Sequence, residues 1–219
     1  MNEINKKKFI EDYNSGKPLI IQKELIADFE TPISSLIKIS KNEKYSFLLE
    51  SVEGGDQRGR FSLLGCDPDI IWEIKKDKVN LQCFDDSIDL SFLSKDPIKS
   101  LKQLVSFSKI SRSPEETPFP ILVGYLGYSM IKFMENVELK NPDEIKIPDS
   151  VMIRPKLVAV FDNIRNTINI MTCVYPNEKI CGDLAYDNAI HYLDQTIQKL
   201  NQDISKDSEN SKTINEKIV

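Results

Sequence analysis

Pairs of apolar runs joined by short polar turns recur along the sequence, and this pattern restricts the fold more than any other feature. The first pair is YSFLLESVEGGDQRGRFSLLG at residues 45–65, where a glycine-containing loop joins the two runs. The second is DIIWEIKKDKVNLQCF at 69–84, and the third is PKLVAVFDNIRNTINIMTCVY at 155–175. Apolar runs joined by such short turns predict β-hairpins, and hairpins imply antiparallel strand pairing.

Helical patterns lie between the hairpins. Thr31 and Asp96 each precede a proline, which is typical of an N-cap followed by proline at the first helical position. Apolar side chains at helical spacing also predict a helix at residues 3–13 and a last helix from Asp183, as its cap, to about residue 200. About eight strands and four helices follow. The fold class is therefore α+β, with largely antiparallel sheets and flanking helices.

Composition excludes several classes of protein. The chain has 219 residues, of which 40% are apolar and 29% are charged, as is typical of soluble globular proteins. The formal net charge of −5 argues against nucleic acid as a partner, because phosphate binding needs a basic surface. No apolar run approaches the length of a membrane span, and the N-terminus is not a secretory signal. We expect a cytoplasmic protein that binds neither nucleic acid nor membrane.

The sequence contains little that supports catalysis. His191 is the single histidine, which excludes sites built from several imidazoles, and the four cysteines are scattered without a CxxC pair. No nucleotide-binding or nucleophile motif is present. We predict no catalytic residue and no metal site in this chain. The segment GYLGY at 124–128 has too few glycines for a dinucleotide loop and predicts a strand that another backbone or bulky side chain approaches closely.

Polar residues interrupt the first hairpin near the end of its first strand. Strand alternation places Phe47, Leu49 and Ser51 on one face and Glu50 on the other. One interpretation is that the strand simply reaches the rim of the sheet. The other is a small site for a ligand with an apolar body, in which Glu50 binds an ammonium group and Arg60 a carboxylate. The residues alone leave both open.

Four segments together resemble a known family. LLESVEGGDQRGRFSLLGCDP, ADFETPISSLIKI, VGYLGYSMIKFME and IPDSVMIRPKLVAVFDNIRNTINIMTCVYP resemble the N-terminal part of anthranilate synthase component I, in the same order and spacing. The resemblance covers roughly residues 15–200. It implies an N-terminal regulatory domain at 1–200, followed at 201–219 by a flexible linker toward a catalytic domain that this chain does not contain.

The resemblance also implies a function. The complete enzyme is a lyase of tryptophan biosynthesis that converts chorismate and ammonia, or glutamine, to anthranilate and pyruvate. Its magnesium would be bound by the catalytic half, and its partner would be a glutamine amidotransferase subunit, component II. This chain alone is expected to be inactive.

The resemblance further implies a site for feedback inhibition. Leu49, Glu50 and Ser51 match the motif that binds the effector L-tryptophan, whereas Arg60 either binds the effector or braces the loop. The role of Arg58 stays open beside that of Arg60. Two alternatives remain for the chain: the N-terminal part of aminodeoxychorismate synthase component I, or a free-standing amino-acid-binding module.

Overall fold

A computed structural model describes residues 3–41, 43–53, 57–86, 88–111, 116–138 and 144–203, except for the side chains of residues 3–5, 51–53, 57 and 58. The linker predicted at 201–219 therefore lies outside the described residues from 204 onward. The described chain contains four α-helices, one 3₁₀ helix at Tyr128–Phe133 and seven strands. The helices are α1 (Glu3–Asn14), α2 (Pro32–Ile39), α3 (Pro97–Phe107) and α4 (Gly182–Leu200). The strands are β1 (Leu19–Ile26), β2 (Phe47–Glu53), β3 (Gln57–Lys75), β4 (Lys78–Cys83), β5 (Val123–Leu126), β6 (Ser150–Asp162) and β7 (Thr167–Val174).

The strands form one antiparallel sheet, which confirms the α+β class. Its main order is β1-β7-β6-β3-β2, and β4 and β5 pair with the far ends of β3 and β6. The predicted hairpins are all present as β2–β3, β3–β4 and β6–β7. The first two were predicted as separate units, but they share the 19-residue strand β3. This strand and β6 run the length of the sheet and join its two halves.

The first half of the sheet is covered by α1, α2 and α4, and we call this side the helical face. Apolar side chains of these helices, including Phe9, Ile39 and Leu193, pack there in one cluster with strand residues such as Leu64 and Ile170. The other side, the reverse face, carries a smaller apolar cluster of Val158, Val160 and Met171, against which Leu63 and Phe119 pack. Because β6 is buried on both sides, it forms the centre of the fold.

The second half of the sheet is covered by α3 and the 3₁₀ helix. Trp72 of β3 is fully buried among Ile70, Leu104 and Met130. Its indole N–H donates to the Ser100 hydroxyl on α3 at 3.0 Å, so the polar atom of this buried ring has a partner. This contact fixes α3 on the sheet.

A largely buried ion pair with two hydrogen bonds lies where the two halves of the sheet meet. The register of β3 against β6 shifts between Pro68 and Ile70. Here Asp69 accepts two hydrogen bonds from Arg154, at 2.7 and 2.6 Å. Arg154 as a whole residue is 1% exposed, and its guanidinium also lies over the ring of Tyr175 at 4.0 Å. This ion pair holds the two central strands together at the irregular point.

Local signals account for most helix starts, with one error. Thr31 and Asp96 cap α2 and α3 as predicted, by accepting from the amides of Ser34 and Lys99. The prediction that Asp183 caps α4 is wrong, because the N-cap is Cys181, without a side-chain hydrogen bond, and Asp183 lies in the first turn. An acidic side chain in the first turn still interacts favourably with the helix dipole.

The glycine strand confirms the prediction of a close backbone approach. A Cβ added to Gly124 on β5 would lie 1.9 Å from the carbonyl oxygen of Val151 on β6. No side chain fits at this position, since the neighbouring atoms belong to backbone. Within the described ranges, no helix has both the length and the apolar character needed to cross a bilayer.

Candidate binding site at the end of strand β2

The first two residues of the predicted site lie on an edge strand. Leu49 pairs with Leu63, and directly opposed residues project from the same side of a sheet, which here is the reverse face. Leu49 is 49% exposed. Beside it, the Phe47 ring covers Gly65, where an added Cβ would meet the ring at 2.5 Å. Phe47 and Leu49 thus form an apolar strip that ends at the rim of the sheet.

Glu50 projects from the face of the sheet opposite to that of Leu49. Its side chain is exposed, and its partner across the strands is the buried Ser62. Successive residues project to opposite faces, so Leu49 and Glu50 do not share one. A ligand that contacts both must therefore lie at the outer edge of β2, where the edge strand also offers unpaired backbone carbonyl groups.

Ser51 lies at an irregularity in the pairing of β2 with β3. Glu50 pairs with Ser62 and Val52 with Arg58, so Ser51 alone faces residues 59–61. Such bulges bend the strand and interrupt the regular ladder. The side chains of Ser51 and Arg58 lie outside the described residues.

Arg60 is bound within the chain. Its Nε and Nη2 donate to Asp162 Oδ2 at 3.2 and 2.9 Å, and its guanidinium lies over the Phe61 ring at 4.6 Å. The Arg60 side chain remains 46% exposed, whereas that of Asp162 is 6% exposed. This geometry favours the bracing role of Arg60 over the binding of an effector carboxylate.

Asp162 and Asn163 at the β6–β7 turn were not among the predicted site residues. Asp162 Oδ1 accepts from the amides of Ile164 and Arg165, at 3.0 and 3.1 Å. Asn163 donates from its amide side chain to Gly59 O at 2.8 Å, and from its backbone to Arg60 O at the same distance. Asp and Asn at turns are expected to bond to nearby backbone, a signal that could have identified the turn but not its contact with β3.

The Asp162 carboxyl is expected to make the free energy of unfolding depend on pH in the acidic range. Burial by itself would raise its pKa, but the hydrogen bonds from Arg60 and from the turn amides outweigh this effect and hold the pKa below its ordinary value of 3.8. A carboxyl with a lowered folded pKa stabilises the protein above its unfolded pKa, and the stabilisation is lost as pH falls through the folded pKa. We expect Asp162→Asn to flatten the fall in unfolding free energy below pH 4, as measured by urea unfolding between about pH 2 and 6. An unaltered pH profile would contradict this coupling.

A separate cavity lies on the reverse face beyond the central strands. It has a volume of about 560 Å³ and is lined by polar side chains, including Gln22, Glu24, Asn169 and Arg165, and by Ile110, Ser111, Glu116 and Thr117. Neither Leu49 nor Arg60 lines it. A second cavity, of about 480 Å³, lies on the outer surface of α3 beside Phe92 and Phe107. Leu49, Glu50 and Arg60 thus line neither of these two cavities.

Potential metal ligands are scattered over the part of the chain that the structure describes. Among the residues that the structure describes, no group of three or more His, Cys, Asp or Glu side chains could hold a metal ion. His191 is exposed on α4, where its ring contacts Gln195. The described residues do not fit a magnesium site.

Comparison with known proteins identifies consistent relatives. The chain is 30% identical over 197 residues to anthranilate synthase component 1 of Cereibacter sphaeroides, covering 89% of this chain and 39% of that protein. It is 30% identical over 206 residues to anthranilate synthase component 1 of Aquifex aeolicus, covering 90% and 38%. The chain thus spans about four-tenths of the length of these curated relatives. No family model matches the sequence.

A solved structure of an anthranilate synthase component I is also similar to this chain. Anthranilate synthase component I from Streptococcus pneumoniae aligns with a TM-score of 0.44 and 19% sequence identity, covering 82% of this chain and 37% of that chain.

Proposed function

Because the chain is related over about nine-tenths of its length to the anthranilate synthase component I family, we propose that it is the N-terminal regulatory part of such an enzyme. The observation that carries this proposal is the 30% identity over 197 residues to a relative of that name. The complete enzyme would convert chorismate and ammonia to anthranilate and pyruvate in tryptophan biosynthesis. It would act in the cytoplasm as a lyase.

The chemistry is assigned to a part of the enzyme outside this chain. The described residues offer neither a metal-binding cluster nor a second imidazole. We therefore assign magnesium and the catalytic residues to that other part, and the supply of ammonia to a glutamine amidotransferase subunit. On this proposal residues 1–200 form the regulatory domain, and residues 201–219 form a linker. The isolated chain is then inactive toward chorismate.

The role proposed for the end of β2 is to bind L-tryptophan as a feedback inhibitor. The half-exposed Leu49 offers an apolar surface for the indole ring. The carboxylate of Glu50 offers a full negative charge for the ammonium group, and the backbone carbonyl oxygens at the edge of β2 offer partial negative charges. The engagement of Arg60 by Asp162 supports a bracing role for that residue, so the effector carboxylate would be bound by the other part of the enzyme. Ser51 completes the contact on this side.

Genetic complementation distinguishes the proposed enzyme from its relative that makes a folate precursor. The complete reading frame that encodes this chain is expected to restore growth of a strain that lacks anthranilate synthase component I without added tryptophan. It is not expected to rescue a strain that requires 4-aminobenzoate. Rescue of the second strain alone would instead support aminodeoxychorismate synthase component I, and rescue of neither would support a free-standing binding module.

A further inference from the structure

Next to the proposed effector site, one segment of β3 lacks regular pairing with β2. Between the pairs Glu50–Ser62 and Val52–Arg58, residues 59–61 of β3 oppose the single residue Ser51. Three residues facing one cannot all form ladder hydrogen bonds with β2. The conformation of this segment must therefore be set by contacts from elsewhere.

Asn163 provides the most direct of these contacts. Its side-chain amide donates to Gly59 O at 2.8 Å and lies 3.5 Å from the Ser62 hydroxyl. Its backbone N–H donates to Arg60 O at 2.8 Å. The successive carbonyl groups of Gly59 and Arg60 are thus both bound to one residue, which lies more than 100 positions away in the sequence.

Asp162 binds the side chain of Arg60 in the same segment. Its Oδ2 accepts from Arg60 at 2.9 Å, while its Oδ1 accepts the two amides that close the β6–β7 turn. The turn and the segment opposite Ser51 are therefore linked through one carboxylate. Asp162 itself is only 5% exposed, so its carboxylate depends on these donors to replace water.

From this geometry we propose that Asp162 and Asn163 are positioning residues of the effector site, an inference that rests on the proposed function. They hold residues 59–61 in place on the inner side of Ser51, so that an ordered segment supports the end of β2 that binds the ligand. A preorganised site increases affinity because the cost of ordering it is not deducted from the binding free energy. Loosening the clamp would weaken tryptophan binding although neither residue touches the ligand.

Asn163→Asp tests the inference, because aspartate has nearly the shape of asparagine but its ionised carboxylate cannot donate to Gly59 O. In the complete enzyme we expect the dissociation constant for L-tryptophan, measured by isothermal titration, to rise about three- to tenfold, as for the loss of one hydrogen bond. Asn80→Asp is the matched control, since Asn80 is an exposed residue of β4 whose amide lies 3.4 Å from Glu73. This control should leave the dissociation constant unchanged.

Two further readouts separate positioning from a general loss of structure. In Asn163→Asp, amide hydrogen exchange should accelerate at residues 59–62 but not in β4, and kcat/KM for chorismate should fall by less than the tryptophan affinity. A parallel fall of kcat/KM, or an unchanged tryptophan affinity in an enzyme whose wild type binds tryptophan, would overturn the inference alone. A wild-type enzyme that does not bind tryptophan would overturn the proposed effector site and this inference with it.

Discussion

Replacing Asp69 with alanine is expected to lower the free energy of unfolding by about 3–5 kcal/mol, because the change leaves the charge of Arg154 buried without its partner. The Arg154 side chain is 2% exposed, and both of its hydrogen bonds to Asp69 are short, at 2.7 and 2.6 Å. Burial by itself would lower the pKa of this guanidinium, but the bonds and charge of Asp69 outweigh burial and raise the pKa. An arginine guanidinium is effectively always protonated in proteins, so Arg154 stays charged in the variant, and its desolvation is no longer compensated by Asp69.

Asp187→Ala is the matched control for this prediction. Asp187 on α4 also forms an ion pair, with Lys6 at 2.6 Å, but its side chain is 62% exposed. Exposed pairs contribute at most about 1 kcal/mol, so the control variant should unfold close to the wild type in urea. If the two variants lost the same stability, the Arg154–Asp69 pair would not have the role assigned to it at the junction of β3 and β6.

Local sequence signals predicted much of the fold. The caps at Thr31 and Asp96 and the close approach at Gly124 depend on a few neighbouring residues, and the structure confirms all three. The sharing of β3 by two hairpins was missed because both hairpins have the same local pattern whether or not their strands are continuous. The cap of α4 was assigned wrongly because Asp183 is common both at caps and in first turns.

The long-range contacts at the junction of the two halves of the sheet and beside the candidate site could not be predicted in the same way. Asp69 and Arg154 are separated by 85 residues, and Gly59 and Asn163 by 104. Nothing in the residues around Asn163 indicates that its side chain donates to Gly59, because that contact depends on the register of β3 against β6. The sequence therefore predicted the strand that carries Leu49 and Glu50 and the β6–β7 hairpin, but not the contact between the turn of that hairpin and β3.

The second large effect is expected at Ser51. In the complete enzyme, Ser51→Phe should raise the tryptophan concentration for half-inhibition at least about tenfold, because a phenyl ring in place of the hydroxyl would occupy space that the ligand needs at the end of β2. The catalytic residues are assigned to another part of the enzyme, so most of the uninhibited activity should remain. Ser46→Phe is the control, since Ser46 is exposed just before β2 and lies outside the proposed site.

The measurement that tests the central claim most directly is the rate of anthranilate formation against L-tryptophan concentration, for the complete wild-type enzyme and for these two variants. We expect tryptophan to inhibit the wild type and Ser46→Phe equally, and to inhibit Ser51→Phe only at much higher concentration. A wild-type enzyme insensitive to tryptophan, or a Ser51→Phe enzyme as sensitive as the wild type, would contradict the assignment of the effector site to the end of β2.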